Sequence, residues 1–231
     1  MAKILRVASL ISGGKDSALA LYRGMRQGYE IEYLVAMVPE KEDSWMFHYP
    51  NIHLVDLFAE AANIRLCKGK TKGIKEAELE DLKLLLKKLD VKGIISGAVS
   101  SEYQKTRIER ICHDLHLTSI TPLWHEDPLK LLRELVDLNF ETIIVGVYAY
   151  GFTREWLGRT IDAETIDELV HLNREYQISM VGEGGEYETL VLDAPFFEKK
   201  IKLLEVEKTW EGQSGYLSVK DATVLDKGSP G

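Results

Sequence analysis

The segment that decides the fold is ILRVASLISGGKDSALALYRGM, residues 4–25. The apolar run 4–11 predicts a buried strand, which ends at a polar, glycine-containing turn at residues 12–17. Apolar side chains then recur at helical spacing, at Ala18, Leu21, Tyr22 and Met25. A strand, a glycine turn and a helix in this order are typical of the first unit of an open α/β sheet.

The same alternation continues through the first half of the chain. Further strands are predicted at 31–38, 63–67, 93–96 and 117–121, with helices at about 52–62, 79–89 and 108–115. This alternation predicts an α/β fold with a doubly wound, mostly parallel five-stranded sheet, which is Rossmann-like and covered by helices on both faces.

The alternation changes after Pro122-Leu123-Trp124. The second half is predicted to hold helices near 128–138 and 162–176, a strand at 142–149, and two strands at 200–209 and 215–225 that pair antiparallel. We therefore expect two domains, a nucleotide-binding domain over 1–124 and a smaller α+β domain over 125–231.

Net charge, the length of uncharged stretches and the cysteine count limit the classes of protein to which this chain can belong. With 29 basic and 37 acidic side chains, the 231-residue chain has a net charge of −8, which argues against nucleic-acid binding by broad charge neutralisation. The longest uncharged stretches, 44–55 and 142–153, are far shorter than the ~18 residues of a membrane span. Cys67 and Cys112 form no disulfide framework and lack metal-ligand spacing. We expect an intracellular, cytoplasmic protein.

The glycine turn, which we define as residues 12–17 (Ser-Gly-Gly-Lys-Asp-Ser), has the chemistry of a phosphate site. Its glycines allow positive φ and a close approach of the backbone to a ligand. Amides at the start of the following helix favour an anion, and Ser12, Ser17 and Lys15 add donors.

Two common phosphate-binding motifs do not match. The Walker pattern fails because Asp16 follows Lys15, and the dinucleotide pattern G-x-G-x-x-G does not occur. The turn instead resembles the PP-loop of the ATP pyrophosphatase superfamily, whose members cleave ATP between its α- and β-phosphates. That resemblance implies that Asp16 helps to bind Mg²⁺ beside the phosphates.

A second polar turn follows the fourth strand. This crest turn, residues 97–104 (GAVSSEYQ), should face the glycine turn across the crevice of the sheet. Helical spacing directs Ser101 and Gln104 towards the sheet edge, and Arg107 is close enough in angle to reach a phosphate. The alternative is that the serine only caps a helix while Gln104 and Arg107 face solvent.

A third segment combines glycine residues with glutamate residues. The glutamate segment, residues 182–189 (GEGGEYET), has three carboxylates within six residues, which repel one another unless a cation joins them. A metal, an amine or a cationic substrate group fits this pattern, and so does a surface turn with solvated glutamates.

Taken in order, the three segments resemble one family. Together with Leu123-Trp124 and Leu157-Gly158-Arg159, they are similar to the diphthine–ammonia ligase (diphthamide synthetase) family of the PP-loop superfamily. The resemblance extends over residues 4–198 and implies an adenine nucleotide alpha hydrolase-like fold. It also implies ATP-dependent amidation of diphthine, a modified histidine of translation elongation factor 2 in archaea and eukaryotes, through an acyl-adenylate.

The resemblance assigns roles to particular residues. Lys15, Asp16 and Arg107 would be catalytic, with Asp16 holding the metal. ATP would be bound by Ser12, Gly13, Gly14, Lys15, Asp16, Ser17, Met37, Gly97, Ser101 and Gln104. The protein substrate, with its trimethylammonium cation, would be bound by Ser44, His48, Tyr103, Glu183, Gly184, Gly185, Glu186, Glu188 and Thr189.

The expected partners are elongation factor 2 carrying diphthine, ATP, Mg²⁺ and ammonium, with no membrane and no nucleic acid; a homo-oligomer is left open. Ammonium is the expected nitrogen donor because 231 residues leave no room for a glutaminase domain. Two alternatives stay open. One is another PP-loop reaction that amidates or thiolates a small molecule or tRNA, and the other is a non-catalytic module that senses ATP or AMP.

Overall fold

The computed structural model describes residues 4–39, 51–71 and 75–228 of the chain. Its first half is a five-stranded sheet in the order β3-β2-β1-β4-β5, and all its neighbouring strands are parallel. The strands are β1 (Arg6–Leu10), β2 (Glu30–Pro39), β3 (Leu66–Thr71), β4 (Gly93–Ile95) and β5 (Thr118–Ile120). The helices between them are α1 (Lys15–Arg26), α2 (Val55–Ala62), α3 (Lys75–Leu86) and α4 (Glu102–Asp114). The predicted doubly wound α/β sheet is confirmed.

Strand β1 lies at the centre of this sheet and is buried on both faces. Val7 belongs to a core cluster that includes Leu19 and Leu21 of α1, whereas Ala8 belongs to the cluster on the opposite face. This alternation is the two-residue period of a strand covered by helices on both sides. The chain winds in opposite directions from β1 towards β2 and towards β4, so the carboxyl end of β1 is the topological switch point.

The second half is an antiparallel four-stranded sheet in the order β7-β6-β9-β8. Its elements are α5 (Pro128–Asp137), β6 (Glu141–Val147), α6 (Ala163–Tyr176), β7 (Tyr187–Asp193), β8 (Lys199–Glu211) and β9 (Ser214–Asp226). The predicted pairing of the last two strands is confirmed.

Two elements differ from the sequence prediction. The third strand begins at Leu66 rather than at residue 63, because Asn63 adopts a left-handed conformation (φ 52°) that ends α2. Strand β7 was not predicted, because its first residues belong to the glutamate segment and only Leu190, Val191 and Leu192 form an apolar run.

The two halves share one core. The cluster that contains Val7 and Leu19 continues through Ile144 of β6 and Val219 of β9. The Arg23 side chain of α1 also bonds the Glu134 carboxylate of α5. The division into domains near residue 124 stays a prediction, and the two halves pack directly against each other.

None of the helices in the described part of the chain has the length and the apolar character that crossing a membrane requires.

A glycine at the carboxyl end of β4 allows α1 to approach the sheet. A Cβ atom on Gly97 would lie 2.7 Å from the Asp16 carbonyl carbon and 2.8 Å from the Ser17 nitrogen. Real Cβ atoms do not approach backbone this closely, so any larger residue must displace the first turn of α1.

We predict that Gly97→Ala lowers the free energy of unfolding by about 1–3 kcal/mol, since it forces the helix start away from the sheet. Urea unfolding measures this change. Gly14→Ala is the matched control, because its Cβ would meet no atom closer than 3.4 Å. Equal losses in the two variants would contradict the packing argument.

Candidate active site

The glycine turn lies at the carboxyl end of β1 and is held by its own hydroxyl groups. Gly13 has φ +86°, a conformation that favours glycine. The Ser17 hydroxyl donates to the Gly14 carbonyl (2.9 Å), and the Gly14 amide donates to the Ser12 hydroxyl (3.3 Å). Helix α1 begins at Lys15 without a side-chain cap. Ser12 and Ser17, both expected to bind phosphate, therefore also shape the turn.

Strand β7 of the second sheet lies against this turn. The Val191 amide donates to the Gly13 carbonyl (2.9 Å), and the Lys15 amide donates to the Thr189 hydroxyl (3.1 Å). Because β7 is an edge strand, its free backbone edge is available for these contacts. The glycine turn therefore lies between the two sheets.

The Lys15 ammonium is buried, with only 3% of its side chain exposed. It donates to Asp16 Oδ2 (2.9 Å) and to the Val181 carbonyl, and it lies 5.1 Å from the centre of the Tyr187 ring. Burial alone would lower the pKa of Lys15, but Asp16, Tyr187 and Glu188 outweigh it and raise the pKa. Lys15 therefore stays charged. A contact with phosphate requires it to leave the Val181 carbonyl, and that role stays a prediction.

Two carboxylates share this single ammonium. Burial raises the pKa of Asp16 despite the neighbouring Lys15, and the side chain of Asp16 is 29% exposed. Burial, with a contribution from Asp16, raises the pKa of Glu188 to about 7. The excess of negative over positive groups means that a further cation would be stabilised here.

The crest turn faces the glycine turn and is fixed by Glu183. The Glu183 carboxylate accepts hydrogen bonds from the amides of Val99 (2.9 Å), Ser100 (2.8 Å) and Ser101 (2.9 Å), and also from the Ser100 hydroxyl. Burial alone would raise the pKa of Glu183, but these hydrogen bonds outweigh it and hold the pKa below its usual range. The glutamate segment and the crest turn are therefore joined directly.

The other predicted residues of the crest turn and α4 are Ser101, Tyr103, Gln104 and Arg107. The Ser101 hydroxyl accepts from the Gln104 amide (3.3 Å) and caps α4, while the Gln104 side chain is exposed. These two features are those of the structural alternative. The Arg107 guanidinium lies 3.7 Å from the centre of the Tyr103 ring. A nucleotide contact from Ser101, Gln104 or Arg107 and a substrate contact from Tyr103 stay predictions.

Met37 occupies the position predicted for adenine recognition. The register of β1 with β2 ends at Leu10 and Val35. Directly after β1, the Ile11 amide donates to the Val35 carbonyl. Backbone groups of alternate residues in a strand point to the same side, so the amide and carbonyl of Met37 face the same side as those of Val35, beyond the end of β1. An adenine contact from this backbone stays a prediction.

The three glutamates of the glutamate segment have separate environments. Glu183 bonds the crest turn, while Glu186 accepts from the Ser179 amide (2.9 Å) within its own turn. Glu188 lies on β7, beside the residues that contact Lys15. This differs from the single shared cation site expected from their spacing, because Gly182 and Gly185, both at positive φ, turn the chain on either side of Glu183 and before Glu186.

The remaining predicted substrate residues are Gly184, Gly185, Thr189, Ser44 and His48. Gly184 and Gly185 are exposed, and Thr189 contacts the glycine turn as described above. Ser44 and His48, predicted to bind substrate, lie outside the described residues. The chain re-enters the described part at Asn51, whose side chain bonds the backbone of β9 at Leu217 (2.9 Å) and Val219 (2.7 Å).

Sequence reasoning missed the backbone partners of this site. Neither the Val181 carbonyl nor the edge of β7 left a pattern in the sequence, because backbone groups are the same at every position. The exposed aromatic residues Tyr148, directly after β6, and Tyr216 of β9 were also missed, because the sequence does not show which tyrosines are exposed.

Two family models match this chain. One is described as the diphthamide synthase N-terminal domain and matches residues 5–119. The other is described as the diphthamide synthase C-terminal domain and matches residues 127–225.

Individual proteins show the same similarity. A diphthine–ammonia ligase from Schizosaccharomyces pombe is 38% identical over 245 residues, which cover 96% of this chain and 40% of that protein. A diphthine–ammonia ligase from Homo sapiens is 36% identical over 220 residues, which cover 85% of this chain and 82% of that protein. The chain thus spans about two fifths of the length of the fission-yeast relative and most of the length of the human one.

Among solved structures, the chain is similar to a protein described as a predicted subunit of tRNA methyltransferase from Methanocaldococcus jannaschii. The TM-score is 0.47 at 16% identity, and the match covers 83% of this chain and all of the other.

The Glu183 contacts generate a prediction about stability and pH. Glu183→Gln places an amide group where the carboxylate accepted backbone donors, so we predict a loss of about 1–3 kcal/mol in the free energy of unfolding at pH 7. The folded-state pKa is lowered, so this stabilisation is present above the unfolded-state pKa and is lost as the pH falls through the folded-state value. The difference between variant and wild type should therefore shrink below about pH 4.

Denaturant unfolding at several pH values measures this difference. Glu205→Gln, a change of the same kind at an exposed position of β8, is the control and should have little effect at any pH. A Glu183→Gln effect that does not change with pH would mean that the charge of Glu183 is not what holds the crest turn.

Proposed function

This chain belongs to the diphthamide synthase family, and we propose that it catalyses the ATP-dependent amidation of diphthine on translation elongation factor 2, with ammonium as the nitrogen donor. The observation that supports this most strongly is the glycine turn itself. It lies at the switch point of a doubly wound sheet, opposite the crest turn, where this class of fold binds its ligands.

The reaction has two steps. A carboxylate oxygen of diphthine attacks the α-phosphorus of ATP, the bond from that phosphorus to the bridging oxygen breaks, and pyrophosphate leaves. Ammonia, formed from ammonium by loss of a proton, then attacks the acyl carbon, loses a second proton and displaces AMP, which leaves the amide.

The protein would contribute mainly position and charge. The amides at the start of α1 and the hydroxyl groups of Ser12 and Ser17 would stabilise the leaving pyrophosphate. The backbone of Met37 would pair with adenine, and Gly97, Ser101, Gln104 and Arg107 would lie along the ribose and α-phosphate. Holding the carboxylate against the α-phosphorus would supply most of the remaining acceleration.

Asp16 fits the role of a magnesium ligand. It is a partly exposed carboxylate at the head of the glycine turn, and burial raises its pKa, which a bound cation would reverse. Mg²⁺ is usually held by one or two carboxylates together with substrate phosphates, so no larger cluster of protein ligands is needed. When bound, the ion would neutralise charge on the departing phosphates.

The test is to follow the nucleotide by chromatography after incubation with ATP, Mg²⁺, ammonium and elongation factor 2 carrying diphthine, with each component omitted in turn. AMP should form only in the complete mixture. AMP that forms without the factor would point to another substrate, ADP would contradict cleavage between the α- and β-phosphates, and tight ATP binding without turnover would favour a sensing module.

We predict that Asp16→Asn lowers the rate of AMP formation at least about 100-fold, since it removes the charge beside the phosphates. The asparagine retains an oxygen for Lys15 but not the charge that pairs its buried ammonium, so the thermal transition should move to lower temperature, and the assay is run well below it. Asp221→Asn, at an exposed position of β9, is the matched control and should retain full activity. Full AMP formation by Asp16→Asn would show that the site lies elsewhere.

A further inference from the structure

Three residues on neighbouring strands form a row across the second sheet, near the glycine turn. Glu188 of β7 lies opposite Gly146 of β6, and Gly146 lies opposite Tyr216 of β9. Directly opposite residues of antiparallel strands project from the same face of a sheet. Glu188 and Tyr216 therefore flank Gly146 on one face.

A second tyrosine fills the space above Gly146. A Cβ atom on Gly146 would lie 2.6 Å from the hydroxyl oxygen of Tyr148 and 2.9 Å from its ring carbon Cε2. The glycine thus provides the space in which the Tyr148 ring lies, between Glu188 and Tyr216. Both rings remain accessible, with 42% of Tyr148 and 41% of Tyr216 exposed.

The charges on this face favour a cation. Burial, together with the neighbouring Glu188 and Tyr216, raises the pKa of Tyr148 to about 12, so this phenol stays neutral at neutral pH. Glu188 is half-buried, and the charges nearest to it are Lys15 and Asp16, which also interact with each other. The face therefore presents two aromatic rings and the Glu188 carboxyl group. The nearest cation to Glu188, the Lys15 ammonium, is already paired with Asp16.

The row is also next to the nucleotide site. The two chain neighbours of Glu188 both contact Lys15: the Tyr187 ring lies under its ammonium, and the Thr189 hydroxyl accepts from its amide (3.1 Å). Because side chains alternate along a strand, Tyr187 and Thr189 lie on the opposite face of β7 from Glu188. The edge of β7 borders the glycine turn, since the Val191 amide donates to the Gly13 carbonyl, and Lys15 and Asp16 both act on the Glu188 carboxyl. A group bound at Glu188 would therefore lie near the glycine turn.

We propose that Glu188, Tyr148 and Tyr216 form the subsite for the quaternary ammonium group of the substrate. A quaternary ammonium has no hydrogen to donate, so aromatic faces and a through-space carboxylate are the groups that recognise it. This inference rests on the proposed function, in which cation and reacting carboxylate belong to one side chain, so the cation subsite must adjoin the nucleotide. Of the three glutamates, it assigns the cation to Glu188 and leaves Glu183 and Glu186 to their structural partners.

The test compares two forms of elongation factor 2. One carries diphthine, and the other carries the same side chain with a primary ammonium in place of the trimethylammonium. We expect Tyr216→Leu to lower the preference for the trimethylated form, measured as the ratio of kcat/KM values, about 10-fold. Tyr216→Phe keeps the aromatic face and should keep the preference. Glu188→Gln should raise the KM for the factor, and the KM for ATP should stay unchanged in the two Tyr216 variants.

The outcomes separate the subsite from the reaction. An unchanged preference in Tyr216→Leu, or equal losses in the leucine and phenylalanine variants, would overturn the subsite while leaving the amidation intact. If the wild type forms no AMP with either factor, the proposed function fails, and the subsite is then tested by NMR titration with tetramethylammonium. Binding to the wild type and to Tyr216→Phe but not to Tyr216→Leu would support it, and equal binding to all three would overturn it.

Discussion

The rest of the site depends on one buried charge, the ammonium of Lys15. An ammonium removed from water costs several kcal/mol unless it is paired and hydrogen-bonded. Here the compensation comes from both halves of the chain, with Asp16 on one side and the Val181 carbonyl and the Tyr187 ring on the other. The buried position of the Lys15 ammonium therefore depends on the Val181 carbonyl and on Tyr187, both from the second half of the chain.

A second contact, between Glu183 and the crest turn, joins the two halves of the chain on the other side of the crevice. Glu183 replaces water at three consecutive amides of the crest turn, which lie 82 to 84 residues earlier in the chain. Both sides of the crevice of the parallel sheet are thus held by the segment that enters β7. This explains physically why the glutamate segment is acidic: its first carboxylate satisfies a helix start, and its last contributes the negative charge that surrounds Lys15.

The sequence predicted those helices and strands in which apolar residues recur at a regular spacing. The strand, turn and helix of residues 4–25 follow from apolar spacing, and so does the antiparallel pair β8 and β9. It did not predict β7, whose apolar run is only Leu190, Val191 and Leu192, nor the backbone partners of Glu183 and Lys15, which are far away in the chain. The glycine turn could be proposed as a phosphate site from its residues alone, because phosphate binding requires particular residue types close together in sequence. A surface formed across strands, such as Tyr148 with Tyr216, becomes visible only when the register is known.

Coupling between adenylation and amide formation is measured with [15N]ammonium and elongation factor 2 carrying diphthine. AMP is quantified by chromatography, and the labelled amide is quantified by mass spectrometry of the modified peptide, over the same time course. The account predicts one AMP for each 15N atom gained by the factor, at every time point. Label gained without AMP, or gained with ADP in its place, would contradict the assignment of adenylating chemistry to the glycine turn.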